Sequence, residues 1–257
     1  MATDEEIDDV RSRLLGMIDP ARIVRTRIAR PGPEVIAAFQ AITDLASAVS
    51  DALDVLGVGG CVPASVLRPV LEGRAVVGPA ITLRYEPLGG SVGARLARGE
   101  RALLADRDLY GVGQAGDIGV FQSSIGPGVS VMGGLSATWA KSVGIAACVI
   151  DGGVRDIATM RELEQPVWST GRTPITGRQR VEAVEINGTV SLCGVQVRPG
   201  DLIAADDTGV CVVPAEHIDA VLTHCQAAEA KESAVTRMLL AGDPVEKIVA
   251  TLPIDQW

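Results

Sequence analysis

The sequence predicts an α/β fold, in which helices flank a largely buried sheet. Short apolar runs with the length of strands alternate with segments whose apolar residues recur at helical spacing. Hydrophobic residues make up 47% of the 257 residues but aromatic residues only 3%, so the core must consist of Val, Ile, Leu and Ala. The strands lack the regular βα repeat of a barrel. The simplest account is therefore one compact α/β domain with flanking N- and C-terminal helices.

The predicted elements follow in chain order. An acidic amphipathic helix is expected over residues 4–18, and an arm over residues 21–33 carries four arginines. Further helices are predicted at about 34–41, 44–53 (capped by Thr43 or Asp44), 135–143, 157–163 and 215–241, with a short last helix after Asp243-Pro244. Strands are predicted at 75–85, 102–105, 118–122, 145–150, 181–186 and 189–192, with more strand signal over 195–213. Asn187-Gly188 predicts a β-hairpin between strands 181–186 and 189–192.

Charge and composition exclude several classes of function. The net charge is −9, which disfavours nucleic-acid binding because phosphate contacts need a basic surface, although it suits docking on a basic partner. No apolar run approaches the ~20 residues of a membrane span, and the acidic opening segment lacks the pattern of a signal peptide. We therefore expect a cytoplasmic protein with five reduced cysteines, which are Cys61, Cys148, Cys193, Cys211 and Cys225.

The most informative stretch is Asp151-Gly152-Gly153-Val154-Arg155-Asp156. It follows an apolar run at residues 145–150 and precedes the predicted helix 157–163, so we interpret it as a glycine-rich turn at the carboxyl end of a strand. Ligands bind at that edge of α/β sheets, and glycines let the backbone approach a ligand closely. A carboxylate there can hold a hard cation such as Mg²⁺, and an arginine can clamp a substrate oxygen. The alternative is a helix-capping Asp beside a solvated Arg.

A second glycine-rich segment, residues 126–134, opens onto the predicted helix 135–143. The free N–H groups of that helix start, together with its dipole, predict an anion site. Residues 111–116 match G-x-G-x-x-G, but a strand rather than a helix follows, so we reject a dinucleotide site. His217 and His224 lie two helical turns apart, too far for a shared metal. The remaining carboxylates, arginines and glycine-rich backbone suit a metal-assisted reaction on a small anionic substrate.

Several segments carry motifs that occur in this order in one known family. They are residues 51–53, 77–83, 115–117, 133–144, 151–156, 166–168, 197–202 and 205–214. In these segments the chain resembles the RraA-like family, which includes the metal-dependent (class II) 4-hydroxy-4-methyl-2-oxoglutarate aldolases and the regulator of ribonuclease E activity. The resemblance spans roughly residues 43–235 and implies a domain of the swivelling β/β/α type.

The resemblance also implies a role for each residue of the candidate site. Asp156 is implied as the direct ligand of a divalent metal, Mg²⁺ or Mn²⁺, and Arg155 as the catalytic residue that clamps a substrate oxygen. Glu232, contributed by a neighbouring subunit, is implied as a second catalytic residue near the reacting end of the substrate. A small 2-oxo acid is implied to bind at the glycine-rich helix start and the arginine, that is, at Gly133, Gly134, Leu135, Ser136 and Arg155.

One position departs from the aldolase pattern. The aldolases resemble one another in an Asp, twenty spacer residues and then Arg-Asp, and in them the first Asp holds a metal-bound water that acts as the base. Counting back from Arg155 puts Gly134 at that position. Asp117 or Asp151 is an alternative source of the missing carboxylate, although Asp151 could instead only brace the turn. The non-catalytic regulator lacks the final Asp, whereas this chain keeps Asp156.

We expect a divalent-metal-dependent carbon–carbon lyase that acts on a 2-oxo acid through the enolate of pyruvate. Retro-aldol cleavage of a 4-hydroxy-2-oxo acid and decarboxylation of oxaloacetate both end in that enolate. The alternatives are a non-catalytic RraA-like protein that docks on a basic partner, and a divergent lyase with another substrate. The resemblance further implies a homotrimer or homohexamer with active sites at subunit interfaces. The predicted organisation is an N-terminal helical extension at 1–42, the RraA-like domain at 43–235 and a C-terminal helical tail at 236–257.

Overall fold

Helices flank a mixed β-sheet in the computed structural model, which describes residues 12–251. The strands within this range are β1 (Gly60–Pro63), β2 (Arg68–Pro69), β3 (Val76–Pro87), β4 (Ile118–Ser123), β5 (Ser130–Met132), β6 (Ala147–Val154), β7 (Val167–Arg172), β8 (Val181–Ile186), β9 (Val190–Leu192), β10 (Val195–Val197), β11 (Leu202–Ala205) and β12 (Gly209–Val213). The α-helices are α1 (Pro33–Gln40), α2 (Leu45–Leu56), α3 (Val92–Ala97), α4 (Asp106–Val112), α5 (Gly134–Ser142), α6 (Ile157–Glu162), α7 (Ile218–Ala241) and α8 (Val245–Thr251). The α/β prediction is confirmed.

The main sheet has the strand order β1-β12-β11-β3-β4-β6-β7-β2, with β5 added on β6 and β8 on β3. Strands β3, β4, β6 and β7 run parallel, whereas β1, β12, β11 and β3 pair antiparallel. β3 changes partner from β11 to β4 between Pro79 and Ala80, just beyond Gly78. A Cβ on Gly78 would lie 2.3 Å from the carbonyl oxygen of Gly116, so this crossing requires glycine. The parallel strands place their carboxyl ends along one edge of the sheet.

Apolar residues are buried on both sides of the sheet, as expected for strands that read as nearly continuous hydrophobic runs. One core cluster joins α4, α5 and α6 to the parallel strands and includes Ile81, Phe121 and Ile150. Another packs α1, α2 and α7 on β11 and β12 and includes Phe39 and Val213. No described helix alone has the length and apolar composition to cross a membrane; α1 and α2 meet that test only as a pair, with a bend of 108° between them.

Buried carboxylates fasten the segment before α1 to the domain. Asp117 forms two hydrogen bonds with the Arg30 guanidinium, at 2.7 and 2.9 Å. Asp108 of α4 accepts hydrogen bonds from three backbone N–H groups, those of Leu15, Met17 and Ile18. Residues 12–18 form turns and bends, because N–H groups that donate to Asp108 cannot form the hydrogen bonds of a helix. The helix predicted over 4–18 is therefore wrong in this part, and its remainder lies outside the described residues.

The predicted hairpin around Asn187-Gly188 is wrong. β8 pairs with β3, and β9 pairs with β10, so the two strands beside the turn do not pair with each other. Asn187 has the expected positive φ of 57°, but its N–H donates to the carbonyl of Thr82. The Thr82 hydroxyl in turn donates to the carbonyl of Gly188. These bonds hold the Asn-Gly segment against β3 and leave β9 to pair with the strand that follows it.

Two further local expectations also need correction. Residues 102–105 do not form a strand: Leu103 makes an isolated bridge with Glu182, and the segment leads directly into α4. Helix α2 does follow Thr43-Asp44, but Asp44 has a left-handed conformation and makes no side-chain capping bond. The helix start is instead tied by Asp206, whose carboxylate accepts the N–H of Ala46.

Strand β6 is longer than predicted, since it extends to Val154. The first four residues of the 151–156 segment are therefore strand, and the turn is confined to Arg155 and Asp156. Gly153 lies between β5 and β7, and a Cβ on it would lie 2.6 Å from the carbonyl oxygen of Pro127. Glycine is needed there for close backbone packing and not, as expected, for the approach of a ligand.

Candidate functional site

The candidate site lies where β5 and β6 end and α5 and α6 begin. The two strands run parallel, and the N–H of Arg155 donates to the carbonyl of Met132 at 3.0 Å. Beyond this contact α5 begins at Gly134 and α6 at Ile157. The fold thus brings Arg155 and Asp156 to the N-terminus of α5, as the edge position of the motif predicts.

Asp156 directs its carboxylate towards α5 instead of capping its own helix. It precedes α6 with φ 58° and ψ 44° and makes no side-chain bond to that helix. Its Oδ2 accepts the N–H of Gly134 at 2.9 Å. The side chain remains 45% exposed, so carboxylate lone pairs stay open to a ligand. This geometry differs from that of the helix-capping alternative.

Arg155 lies beside this carboxylate but does not form a close ion pair with it. Its Nε is 3.6 Å from Oδ2 of Asp156, which is longer than the usual charge-assisted hydrogen bond. The guanidinium therefore keeps donors for another oxygen. A Cβ on Gly133 would lie 2.7 Å from Asp156 Oδ2 and 3.1 Å from Arg155 Nε. Gly133 is thus required for the pair to occupy this position.

A small cavity of about 70 Å³ joins these groups. Six of the seven predicted site residues line it: Gly133, Gly134, Leu135, Ser136, Arg155 and Asp156. Its charged lining consists of three arginines and two aspartates, namely Arg107, Arg155, Arg178, Asp106 and Asp156. Positive charge therefore exceeds negative charge around the cavity, which favours a small anionic ligand.

Three further residues of the cavity were not predicted from the sequence: Asp106, Arg107 and Arg178. Asp106 is 2% exposed at the start of α4, and Arg107 Nε lies 3.9 Å from Asp106 Oδ2. Within residues 12–251 the buried Arg107 Nε has no hydrogen-bond partner. The one available signal is that Asp106 directly follows the apolar run 102–105, just as the 151–156 segment follows one.

Ser136 links the cavity to a buried polar group behind it. Its hydroxyl lies 3.1 Å from the hydroxyl oxygen of Tyr110, and the same side chain interacts with the Asp106 carboxyl. Burial raises the pKa of Asp106 above its ordinary value, and the Ser136 bond and the Arg107 charge oppose this effect only in part. Burial also raises the pKa of Tyr110, so its phenol is protonated at neutral pH.

The two carboxylates considered as replacements for the missing base lie elsewhere. Asp117 is paired with Arg30 and also accepts the N–H of Gln114. Asp151 accepts the N–H of Cys193 at 2.9 Å. Neither lines the cavity. Both hydrogen-bond to backbone N–H groups elsewhere in the fold. Asp151 therefore has a bracing role and does not replace the missing base.

The residues of the cavity suit a hard cation that has one or two protein ligands better than a cation that the protein coordinates completely. Among residues 12–251 no group of three His, Cys, Asp or Glu side chains is placed to hold a metal. Mg²⁺ commonly takes one or two carboxylates and completes its shell with water and substrate oxygens. The exposed carboxylate of Asp156 meets that requirement, and a metal held this way depends on the substrate for part of its coordination.

Glu232 is separate from this cavity within one chain. It lies on α7 and lines a groove of about 770 Å³ between α2 and α7, together with Asp51, His224 and Glu229. Its side chain is exposed to solvent. A role for Glu232 beside Arg155 therefore requires a second copy of the chain.

The chain is similar to several known proteins. Residues 46–212 match the model of the RraA-like family, described as Aldolase/RraA. A candidate 4-hydroxy-4-methyl-2-oxoglutarate aldolase of Halalkalibacterium halodurans is 31% identical over 191 residues, 74% of this chain and 82% of that protein. Protein DlpA of Legionella pneumophila is 29% identical over 77% of this chain, which spans only 31% of DlpA. The structure of Streptomyces coelicolor RraAS2, an unusual member of the RNase ES inhibitor RraA family, has a TM-score of 0.67 and 27% identity, covering 82% of this chain and 100% of that one.

Proposed function

Because the chain belongs to the RraA-like (aldolase/RraA) family, we propose that it is a divalent-metal-dependent carbon–carbon lyase that acts on a 2-oxo acid. The observation that carries the proposal is the cavity in which Arg155, Asp156 and the N-terminus of α5 converge. The name of the H. halodurans relative supports an aldolase. The products are pyruvate and either an aldehyde or ketone fragment, from a 4-hydroxy-2-oxo acid, or CO₂, from oxaloacetate.

The start of α5 binds the substrate carboxylate. The first N–H groups of a helix have no intrahelical acceptor, and at Leu135 and Ser136 they face an anion site favoured by the helix dipole. Arg107 adds an Nε–H without a partner among the described residues. A carboxylate beside three arginines is therefore held in a fixed orientation.

Arg155 stabilises the charge that forms when the carbon–carbon bond breaks. The electron pair of that bond passes into the enolate of pyruvate, and negative charge grows on the 2-oxo oxygen. A guanidinium donor already directed at this position lowers the barrier because it needs no reorganisation. The Asp156 carboxylate would hold a Mg²⁺ or Mn²⁺ ion, which would supply Lewis-acid polarisation when bound.

The glycine at position 134 affects the two candidate reactions differently. Retro-aldol cleavage requires removal of a proton from the C4 hydroxyl, whereas decarboxylation of oxaloacetate does not. A carboxylate at position 134 would supply that base in the family's aldolases, and Gly134 supplies none. Decarboxylation is therefore the less demanding reaction for this site, and retro-aldol cleavage needs a base from elsewhere.

The proposal includes a second copy of the chain in each complete site. Glu232 is exposed on α7 and faces a groove instead of its own Arg155. A homotrimer or homohexamer in which α7 reaches the neighbouring cavity would bring the two residues together. Rings with a heterologous interface make such shared sites possible.

The test is the release of pyruvate from oxaloacetate and from a 4-hydroxy-2-oxo acid in the presence of Mg²⁺. Asp156→Ala is expected to lower the rate to that of the EDTA-treated protein, because no other described carboxylate near Arg155 is exposed enough to hold the cation. The matched control is Asp54→Ala, which removes an exposed carboxylate that lines neither cavity. Equal rates for wild type, Asp156→Ala and EDTA-treated protein would overturn the metal-dependent lyase.

Two observations favour a second candidate function, that of a non-catalytic binding protein. The S. coelicolor relative RraAS2 belongs to a family of RNase ES inhibitors, and the net charge of −9 suits a basic partner. Such a protein would show no metal-dependent pyruvate release. The same assay therefore separates the two functions.

A further inference from the structure

Asp106 is a buried carboxylate that opens onto the proposed site. It is 2% exposed and lines the same cavity as Arg155 and Asp156. Ser136, in the first turn of α5, lines the same cavity and interacts with this carboxyl. The carboxyl thus reaches the substrate position through one intervening hydroxyl.

Asp106 differs from its buried neighbour Asp108 in its hydrogen-bond partners. Asp108 is equally buried, but it accepts three backbone N–H groups and fastens the N-terminal segment. The other partners of Asp106 are N–H groups of its own helix start and Arg107 at 3.9 Å. An exposed carboxylate could make the same interactions with its own helix start and with Arg107. These interactions therefore do not explain why the carboxyl of Asp106 is buried beside the cavity, although its burial costs free energy.

We propose that Asp106, acting through the Ser136 hydroxyl, donates and accepts the proton of this reaction and replaces the carboxylate that position 134 lacks. This inference rests on the proposed function, since it needs a 2-oxo acid in the cavity. Asp106 lies 28 residues before Gly134 in the sequence. The spacing of the aldolase motif therefore does not identify it.

The proton balance closes for both candidate reactions. In retro-aldol cleavage, the Asp106 carboxylate takes the C4 hydroxyl proton through Ser136 while the C3–C4 bond breaks. C4 becomes a carbonyl carbon, and the electron pair forms the enolate of pyruvate. The same proton then returns from Asp106 to C3. In decarboxylation the bond to the departing CO₂ breaks instead, and the protonated Asp106 gives C3 a proton that solvent replaces.

The surroundings of Asp106 suit both directions of transfer. The ionisable groups that face it are Arg107 and Tyr110 on α4, Tyr85 on β3 and Cys148 on β6, with Arg155, Asp156 and Arg178 across the cavity. Burial raises the pKa of the carboxyl above its ordinary value. An acid–base group is most effective when its pKa lies near the working pH.

The experiment is exchange of the C3 protons of pyruvate for deuterium in D₂O, followed by NMR on the Mg²⁺-loaded full-length protein. This exchange is the reverse of enolate protonation and needs no knowledge of the natural substrate. Asp106→Asn is expected to slow exchange by ~10²-fold or more, the usual worth of a positioned acid–base group. Oxalate, which resembles the enolate of pyruvate, should bind the variant as tightly as wild type, because Asp106 is not a carboxylate-binding group.

The matched control is Asp108→Asn, which removes the other buried carboxylate of α4. It is expected to lower thermal stability, since three N–H groups lose a charged acceptor, but to keep the exchange rate of the folded protein. Should Asp106→Asn fail to fold, Ser136→Ala interrupts the same proton path and keeps the backbone N–H. Its exchange rate is expected to fall in the same way.

A pH profile separates proton transfer from a structural role. Below its raised pKa, Asp106 is protonated and cannot accept a proton, so the wild-type exchange rate falls as the pH drops through that pKa. The residual rate of Asp106→Asn should lack this acid limb. Undiminished exchange in both Asp106→Asn and Ser136→Ala would overturn the inference and leave the lyase standing. Absence of both exchange and oxalate binding in wild type would overturn the proposed function, and the inference with it.

Discussion

Asp156 combines a strained backbone with a carboxylate that is still open to a ligand. Its left-handed conformation costs a residue other than glycine roughly 1 kcal/mol or more. The carboxylate does not recover this cost by capping α6, because it bonds to the Gly134 N–H instead. Strained residues of this kind concentrate at functional sites. The local geometry therefore supports a ligand-binding role over a capping role.

Position 134 offers a direct test of where the base comes from. We expect Gly134→Asp to restore retro-aldol activity in an Asp106→Asn background by ~10²-fold, because it returns a general base to the site. A Cβ at this position would lie 3.1 Å from Thr159 Cγ2 and Oγ1. The substitution is therefore combined with Thr159→Ala, and pyruvate release from a 4-hydroxy-2-oxo acid is measured.

The control for this rescue is Gly134→Ala with the same two accompanying substitutions. It introduces the same Cβ but no carboxylate, so its rate should stay at the Asp106→Asn level. A rescued rate in the alanine variant, or no rescue by Asp while oxalate still binds, would show that position 134 does not serve as a base in this fold.

Individual site residues differ in how far the sequence could predict them. Arg155 and Asp156 were predictable because their segment follows a strand-like run, and the helix start at Gly134 because a glycine-rich segment opens onto a helical pattern there. Asp106 was not, because its significance lies in a contact with Ser136, 30 residues further along the chain. The apolar segment before it also predicts a strand, although that segment pairs with its neighbours only at Leu103.

At the scale of elements, most helices and central strands were predictable from periodicity. The errors fall where tertiary hydrogen bonds override a local preference. Asn187 adopts the turn conformation that its residue type favours, yet Thr82 holds the segment against β3. Residues 12–18 carry a helical pattern, yet Asp108 takes their amides. Neither partner is visible from the segment itself.

Helix α7 is the element through which the site is proposed to depend on assembly. It extends for 24 residues, packs on α2 and leaves Leu239 and Leu240 exposed beyond its buried part. Glu232 is exposed on the same helix, along the groove with α2. This placement suits a helix that reaches a neighbouring molecule.

The whole molecule is expected to be active only as an oligomer. Mixing Arg155→Ala protein with Glu232→Ala protein should regain pyruvate release once subunits exchange, because some sites then combine an intact Arg155 with an intact Glu232. Each variant alone is expected to be inactive. Exchange is verified by mass spectrometry of isotope-labelled subunits.

The control for this experiment is Glu229→Ala in place of Glu232→Ala. Glu229 lines the same groove but binds the N–H of Thr43 within its own chain, so its loss should leave activity in the unmixed protein. Proven subunit exchange without any regain of activity would place Glu232 outside the site.

Arg155, Asp156 and the start of α5 are proposed to form one metal-dependent site for a 2-oxo acid. A crystal structure of the protein with Mn²⁺ and oxalate tests this proposal, because the anomalous signal of the metal locates it directly. Mn²⁺ is expected on the Asp156 carboxylate, with oxalate between the metal, the Arg155 guanidinium and the Leu135 and Ser136 N–H groups. Mn²⁺ and oxalate bound elsewhere, for example in the groove between α2 and α7, with this cavity holding neither, would contradict it.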